Sequence, residues 1–224
     1  GSFKRKNWGW VKEKRWQGVL KRVEIEAKNL VEAQKKAVEL LKIPLEKIKF
    51  TLIKEKKGIL GIGSSVTYEA TPDINLALEG KAYIEEIVKN LGIEIQMEMR
   101  VQNENKEIYY HILSSENALL IGRNGNTLKA LQFLLRNYLN SYTDEFVIVN
   151  LDIGNYNDNR KRQLEIVATK TAKEVARSKV AVKLDPMNAY ERRIIHSKLS
   201  EWRDVTTESV GEGEDRAVVI KPTK

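Results

Sequence analysis

Val23, Ile25 and Ala27 alternate with Glu24 and Glu26, the period of two that marks a half-buried strand. The period then changes. Leu30, Ala33, Ala37, Leu40 and Leu41 fall on one face at helical spacing, and Pro44 marks the exit from the predicted helix. Alternation returns at Ile48, Phe50 and Leu52, and again around Val66, Tyr68 and Ala70. Residues 19–72 therefore read β-α-β-β. The run KKGILGIG, Lys56 to Gly63, separates the last two strands. Gly58, Gly61 and Gly63 lack the strand-before, helix-after setting of a phosphate-binding fingerprint. The expectation is a glycine-permitted turn with Ile59 and Leu60 packing.

Thr71-Pro72-Asp73 forms a boundary with almost no linker. Residues 74–154 read α-β-β-α-α-β. Ile84, Ile87, Val88 and Leu91 set the first helix, which Gly92 ends. Ile95, Met97, Met99 and Val101 alternate as one strand, and Ile108, Tyr110 and Ile112 as its partner across the Asn103-Glu104-Asn105 turn. The two Met are read as core. A short helix, Ser115 to Ile121, runs into Gly122-Arg123-Asn124-Gly125. The next helix presents Leu128, Leu131, Leu135 and Tyr138 on one face. Phe146 to Ile153 is mostly apolar, which predicts a central strand.

Residues 155–224 open with a long charged helix, about Asp158 to Lys179, whose inner stripe reads Leu164, Val167, Thr171 and Val175. Asp185-Pro186 breaks the chain, and a second helix follows from about Asn188 to Trp202. Val205 to Val210 and Ala217 to Lys221 predict two closing strands around the Gly211–Asp215 turn. The overall class is α+β, in three small domains at 19–72, 74–154 and 155–224 behind a basic extension, 1–18.

Charge divides the chain unevenly. The net of +8 is the sum of +7 over residues 1–22, −3 over 23–154, +6 over 155–203 and −2 over 204–224. A polyanion partner would therefore meet two basic blocks, and the middle would depend on local geometry. The extension holds three of the four Trp among its cations. It reads as a mobile basic tail, as an RNA or membrane-surface contact, or as a short docking helix. With no Cys, disulfides, thiolate zinc sites and cysteine nucleophiles are excluded. Apolar runs are too short to span a membrane, and no secretory signal is visible, so the expected location is the cytoplasm.

Two constellations carry candidate chemistry. In the first, Ile121-Gly122-Arg123-Asn124-Gly125-Asn126, a GxxG turn joins two helices. Absent side chains at the glycines let the backbone approach a phosphate–sugar chain. Arg123 can pair with phosphate, and the next helix adds N–H donors at its positive end. Alone, the spacing also fits an ordinary helix-turn-helix hairpin. Lying behind α-β-β and before a final β, it resembles the KH domain, whose loop clamps about four nucleotides of single strand.

The second is Arg192-x-x-x-His196 on the last helix, a cation and an imidazole at i and i+4 on one face. A lone helical His is more often a surface or capping group. The surroundings are a long basic helix, Asp185-Pro186-Met187-Asn188 and a closing strand pair with GEGED. Together they resemble an R-three-H domain, a single-strand nucleic-acid module. Arg160, Lys161, Arg162 and Arg193 would assist Arg192 and His196.

With both segments placed, the βαββ unit and its KKGILGIG are similar to the N-terminal domain of the Jag family, the bacterial SpoIIIJ-associated proteins. The order matches across about residues 19–224. The resemblance implies a cytoplasmic single-stranded-RNA-binding protein, linked to cell elongation and envelope control. It implies a small KH-only partner and an association with membrane-bound envelope proteins. A homo-oligomer is left open. The alternative is a membrane-associated interaction scaffold in which RNA is secondary. The family often carries a long variable linker before its KH domain, and this chain has almost none. No catalytic group, metal ligand set or cofactor is expected. His111 and His196 fall in different predicted domains, with His111 on the strand face opposite Ile108, Tyr110 and Ile112.

Overall fold

The computed structural model describes residues 19–56, 64–103 and 106–223. The basic extension and nearly all of KKGILGIG lie outside the described residues, as do two residues of the 103–105 turn. Three three-stranded sheets with helices packed on them make the α+β architecture, divided into two compact units at Gly154/Asn155.

The first unit begins with β1 (Val23–Ala27), α1 (Leu30–Leu41), β2 (Ile48–Lys56) and β3 (Ser65–Pro72), in the antiparallel order β1-β3-β2. Asn29 caps α1 by accepting from the Glu32 N–H at 2.9 Å. The buried stripe of α1 is Ala33, Ala37 and Leu41. Leu30 and Leu40, expected on that face, are exposed, Leu40 at 60%. The two alanines leave room for close helix–sheet contact, so the stripe is one residue wide. Leu52 also departs from expectation. It is 56% exposed, beside a register shift between Leu52 and Lys54.

The same unit continues with α2 (Leu76–Asn90), β4 (Gln96–Gln102), β5 (Glu107–Leu113), α3 (Asn117–Ile121), α4 (Asn126–Asn140) and β6 (Ile148–Ile153). Met97 is buried and Met99 half-buried. The sheet order is β4-β5-β6, with β5 and β6 parallel. β6 is thus an edge strand, not the central one its apolar run predicts. The sheet buries one face only. Val149, Leu151 and Ile153 are buried, while Ile148 and the preceding Phe146 are exposed. Gly80 lets α2 cross this sheet closely. A Cβ there would lie 2.2 Å from the Tyr110 hydroxyl, which donates to the Ala77 carbonyl at 2.8 Å.

Strand-like and polar contacts fasten the βαββ segment to these helices. The Lys21 N–H donates to the Tyr142 carbonyl at 2.9 Å, and the Asp144 N–H donates to the Val19 carbonyl at 3.1 Å. Lys47 pairs with Glu79, and Tyr138 donates to the same carboxylate. Burial raises the Glu79 pKa, but the Lys47 and Tyr138 hydrogen bonds outweigh it, so the carboxyl sits below its ordinary range. Tyr138 is read from sequence as an inner-face residue of α4. Leu139 takes that place, and Tyr138 stacks on Tyr83 at 4.0 Å between centroids.

The second unit comprises α5 (Tyr156–Ser178), β7 (Val182–Lys183), α6 (Ala189–Leu199), β8 (Val205–Val210) and β9 (Ala217–Pro222), with sheet order β7-β9-β8. The strand β7 is too short to show a period. Leu164, Ala168, Ala172 and Val175 of α5 pack on Ile195, Leu199, Val205, Val218 and Ile220. The predicted stripe is therefore corrected: Ala168 and Ala172 face inward, Val167 is exposed and Thr171 half-buried. Small side chains on α5 allow the two helices to lie close, which a search for bulky residues overlooks.

Candidate nucleic-acid interface

The GxxG turn is set by backbone conformation. Gly122 has φ 71° and ψ 178°, a region that is essentially glycine-only. A Cβ at Gly122 would stand 2.2 Å from Thr127 Oγ1 and 3.0 Å from the Thr127 nitrogen. Asn124 (φ 52°) and Gly125 (φ 74°) continue left-handed, and the Gly125 N–H donates to the Gly122 carbonyl at 3.2 Å. This tight turn leaves Arg123, Asn124 and Asn126 exposed and Ile121 half-buried above the buried Leu120. Gly125 is buried, so it holds the turn rather than presenting backbone. No acidic residue sits in the first turn of α4. No side chain caps that end either, so its partial positive charge is not offset there, while the Asn126 N–H donates to the Arg123 carbonyl. Lys129 adds a cation by donating to the Asn124 carbonyl at 3.2 Å. Sequence reading missed Lys129. It lies four residues past Gly125, one helical turn beyond the loop, which is the available signal.

The Arg-x-x-x-His helix is built differently. Asn188 and Glu191 form a reciprocal capping box at the start of α6, with the Glu191 N–H donating to Asn188 Oδ1 at 3.0 Å. Glu191 is only 5% exposed, and Arg160 Nε donates to its Oε1 at 2.8 Å. Arg192 turns back to donate from Nη1 to the Met187 carbonyl at 2.9 Å. The His196 ring bridges α6 to β8: Nδ1 lies 2.7 Å from Thr207 Oγ1 and Nε2 lies 2.8 Å from Ser209 Oγ. Burial first, and the Arg192 charge second, lower the His196 pKa below its ordinary value. A neutral imidazole suits that bridge, since it donates to one hydroxyl and accepts from the other.

The basic residues of the long helix do not act as one group. Residues two apart on a helix do not share a face. Accordingly Arg160 is half-buried against Glu191, while Arg162 is exposed and lines a shallow trough elsewhere on α5. Arg193 is exposed, and Tyr190 stands three residues before it on the same face at 66% exposure. Tyr190 is an exposed aromatic that sequence reading did not single out. An aromatic at i−3 from a basic residue was the signal.

His111 is half-buried on β5, and its Nε2 is buried without a hydrogen-bond partner. Among the described residues there is no cluster of three or more His, Cys, Asp or Glu that could hold a metal. No helix among them is long and apolar enough to cross a membrane.

Comparison with known proteins assigns both segments. Residues 81–151 match the family model described as "KhpA/KhpB, KH domain", and residues 162–222 match the model of the R-three-H domain. The chain is 34% identical over 206 residues to the RNA-binding protein KhpB of Bacillus subtilis, covering 90% of this chain and 98% of that one. It is 33% identical over 200 residues to the RNA-binding protein KhpB of Clostridium symbiosum, covering 88% and 90%. The like-named protein of Lactiplantibacillus plantarum is 36% identical over 138 residues, 62% of this chain and 42% of the relative.

Proposed function

The chain belongs to the KhpB family of RNA-binding proteins, the Jag family, and on that premise we propose that it binds single-stranded RNA through two sites. The observation that carries this reading is the glycine-only turn at Gly122, which brings bare backbone, Arg123 and the α4 N-terminus to one exposed corner. There Gly122 and Asn124 offer backbone for close approach, Arg123 pairs with phosphate, and Asn126 hydrogen-bonds sugar or phosphate. Ile121 and Gly125 hold the turn. In the second site Arg193 and Arg192 meet phosphate, Tyr190 stacks on a base, and His196 and Arg160 keep α6 in position. Such contacts release counterions, so affinity falls as salt rises. The test is anisotropy of a labelled single-stranded RNA pool with the full chain at two salt concentrations. Salt-sensitive binding is expected, and no binding at low salt would sink the reading.

The finer reading follows the family. The protein acts as a post-transcriptional regulator linked to cell elongation and envelope control, in the cytoplasm or at the inner face of the membrane, with a small KH-only partner. Exposed Leu119, Phe133 and Leu134 on the KH helices support a partner there. Loss of co-elution with that partner in a Phe133→Glu variant checks it. A scaffold role is favoured by a separate observation: Val31, Leu40, Leu52 and Ile53 of the βαββ segment are exposed apolar side chains. Replacing Val31 and Leu40 by Ser would then reduce recovery with membranes while leaving RNA affinity intact.

A further inference from the structure

Four cations gather on the second unit away from the Arg-x-x-x-His face. Arg162, Lys170 and Lys173 of α5, with Lys198 of α6, line a trough of about 520 Å³ together with Ile166 and Thr169. One carboxylate, Glu165, lies on its wall. Among the described residues none of the four cations has a carboxylate within ion-pair distance. At 3.6 residues per turn, Lys198 lies about 160° around α6 from His196, so the two sites flank that helix on opposite sides. His196 faces β8, and Lys198 joins the α5 trough.

We propose that this trough is a further contact for single-stranded RNA, one that follows phosphates and reads no bases. The inference rests on the RNA-binding reading above. Arg162 to Lys173 spans about 17 Å along α5 at 1.5 Å per residue, a length suited to several phosphates of an extended strand. A site that held bases by stacking would need aromatic platforms, and one that read their edges would need amide or carboxylate side chains beside the cations. The trough lining has no aromatic or amide side chain, and its one carboxylate, Glu165, stands among four cations. Its contribution is therefore electrostatic and the same for different base compositions. The exposed Ile166 lies between the cations of α5, where a sugar edge can pack.

The test uses the full chain and labelled oligouridine and oligoadenosine of about 20 nucleotides, longer than one single-strand site. Wild type is compared with a Lys170→Gln, Lys173→Gln, Lys198→Gln variant. All three side chains are exposed, so the fold is retained, which circular dichroism checks. Removing three phosphate contacts should flatten the slope of log affinity against log salt by about 2 for both homopolymers. An unchanged slope in a variant whose wild type binds RNA overturns the trough alone. An unchanged slope together with lost retention on phosphatidylglycerol vesicles overturns it in favour of a membrane contact. Wild type that binds neither homopolymer overturns both the trough and the RNA reading.

Discussion

The KH turn and the Arg-x-x-x-His helix carry short motifs of similar length, yet they are held in opposite ways. At the turn the motif residues are fixed by backbone: Gly122 and Gly125 have positive φ, and the side chains of Arg123 and Asn124 are left exposed. On α6 the two motif residues are fixed by their side chains: Arg192 donates to the Met187 carbonyl and His196 bonds Thr207 and Ser209, beside the Glu191–Arg160 pair that holds the start of the helix. The lesson is that a motif letter does not state whether a residue touches the ligand. At the turn the polar letters face solvent and the glycines shape them. On α6 the named His anchors the helix, and neighbours outside the motif, Arg193 and Tyr190, are the exposed ones.

That contrast predicts where substitutions will be felt. The largest effect should come from Glu191→Ala, which removes the capping box and leaves Arg160 half-buried without its carboxylate. About 3 kcal/mol of stability should be lost from the second unit, read by urea unfolding. Next is Gly122→Ala, which forces a side chain into a glycine-only conformation against Thr127. It should cost about 2 kcal/mol in the first unit and reduce RNA affinity as the turn shifts. A Gly122→Ala protein with native stability would break the backbone half of the comparison. Tyr190→Ala should weaken RNA binding by about 1 kcal/mol without altering thermal unfolding, because it removes a stacking surface and no core contact.

The smallest effect is the pH dependence that begins just below pH 6.5, above the carboxylate range, and it should come from the second unit. The folded His196 pKa is lowered by burial and by Arg192, from an ordinary value of 6.5. Below that value the unfolded chain takes up the proton more readily than the folded one, so stability falls as pH drops through 6.5 toward the lower folded pKa. The midpoint of thermal unfolding should decline over that window in wild type and stay flatter in His196→Gln.

Much of the fold was legible because the period of each segment is clear. Alternation at Val23–Ala27 and at Ile108–Ile112 named strands, and the order α-β-β-α-α-β around Gly122–Gly125 pointed to the KH topology. The errors on the two helices differ in kind. On α1 the inner Ala33 and Ala37 were legible, but the exposed Leu30 and Leu40 were placed with them, whereas on α5 the inner Ala168 and Ala172 give no strong hydrophobic signal. The edge position of β6 was hidden because its exposed side carries Ile148, an apolar residue on the open face. At the candidate sites, the turn was legible because glycine spacing encodes backbone shape. The division between Arg160 and Arg162 was not, since it depends on where Glu191 sits on another helix.

If the GxxG turn of this chain grips RNA, its exposed polar side chains set the affinity. Affinity for a labelled single-stranded RNA pool is compared at low salt between wild type and a variant carrying Arg123→Asp and Asn124→Asp. Both side chains are exposed, so the variant should unfold at the wild-type temperature. Replacing a cation and a neutral amide by two carboxylates beside the phosphate path should weaken binding about tenfold or more. A folded variant with wild-type affinity would contradict the account.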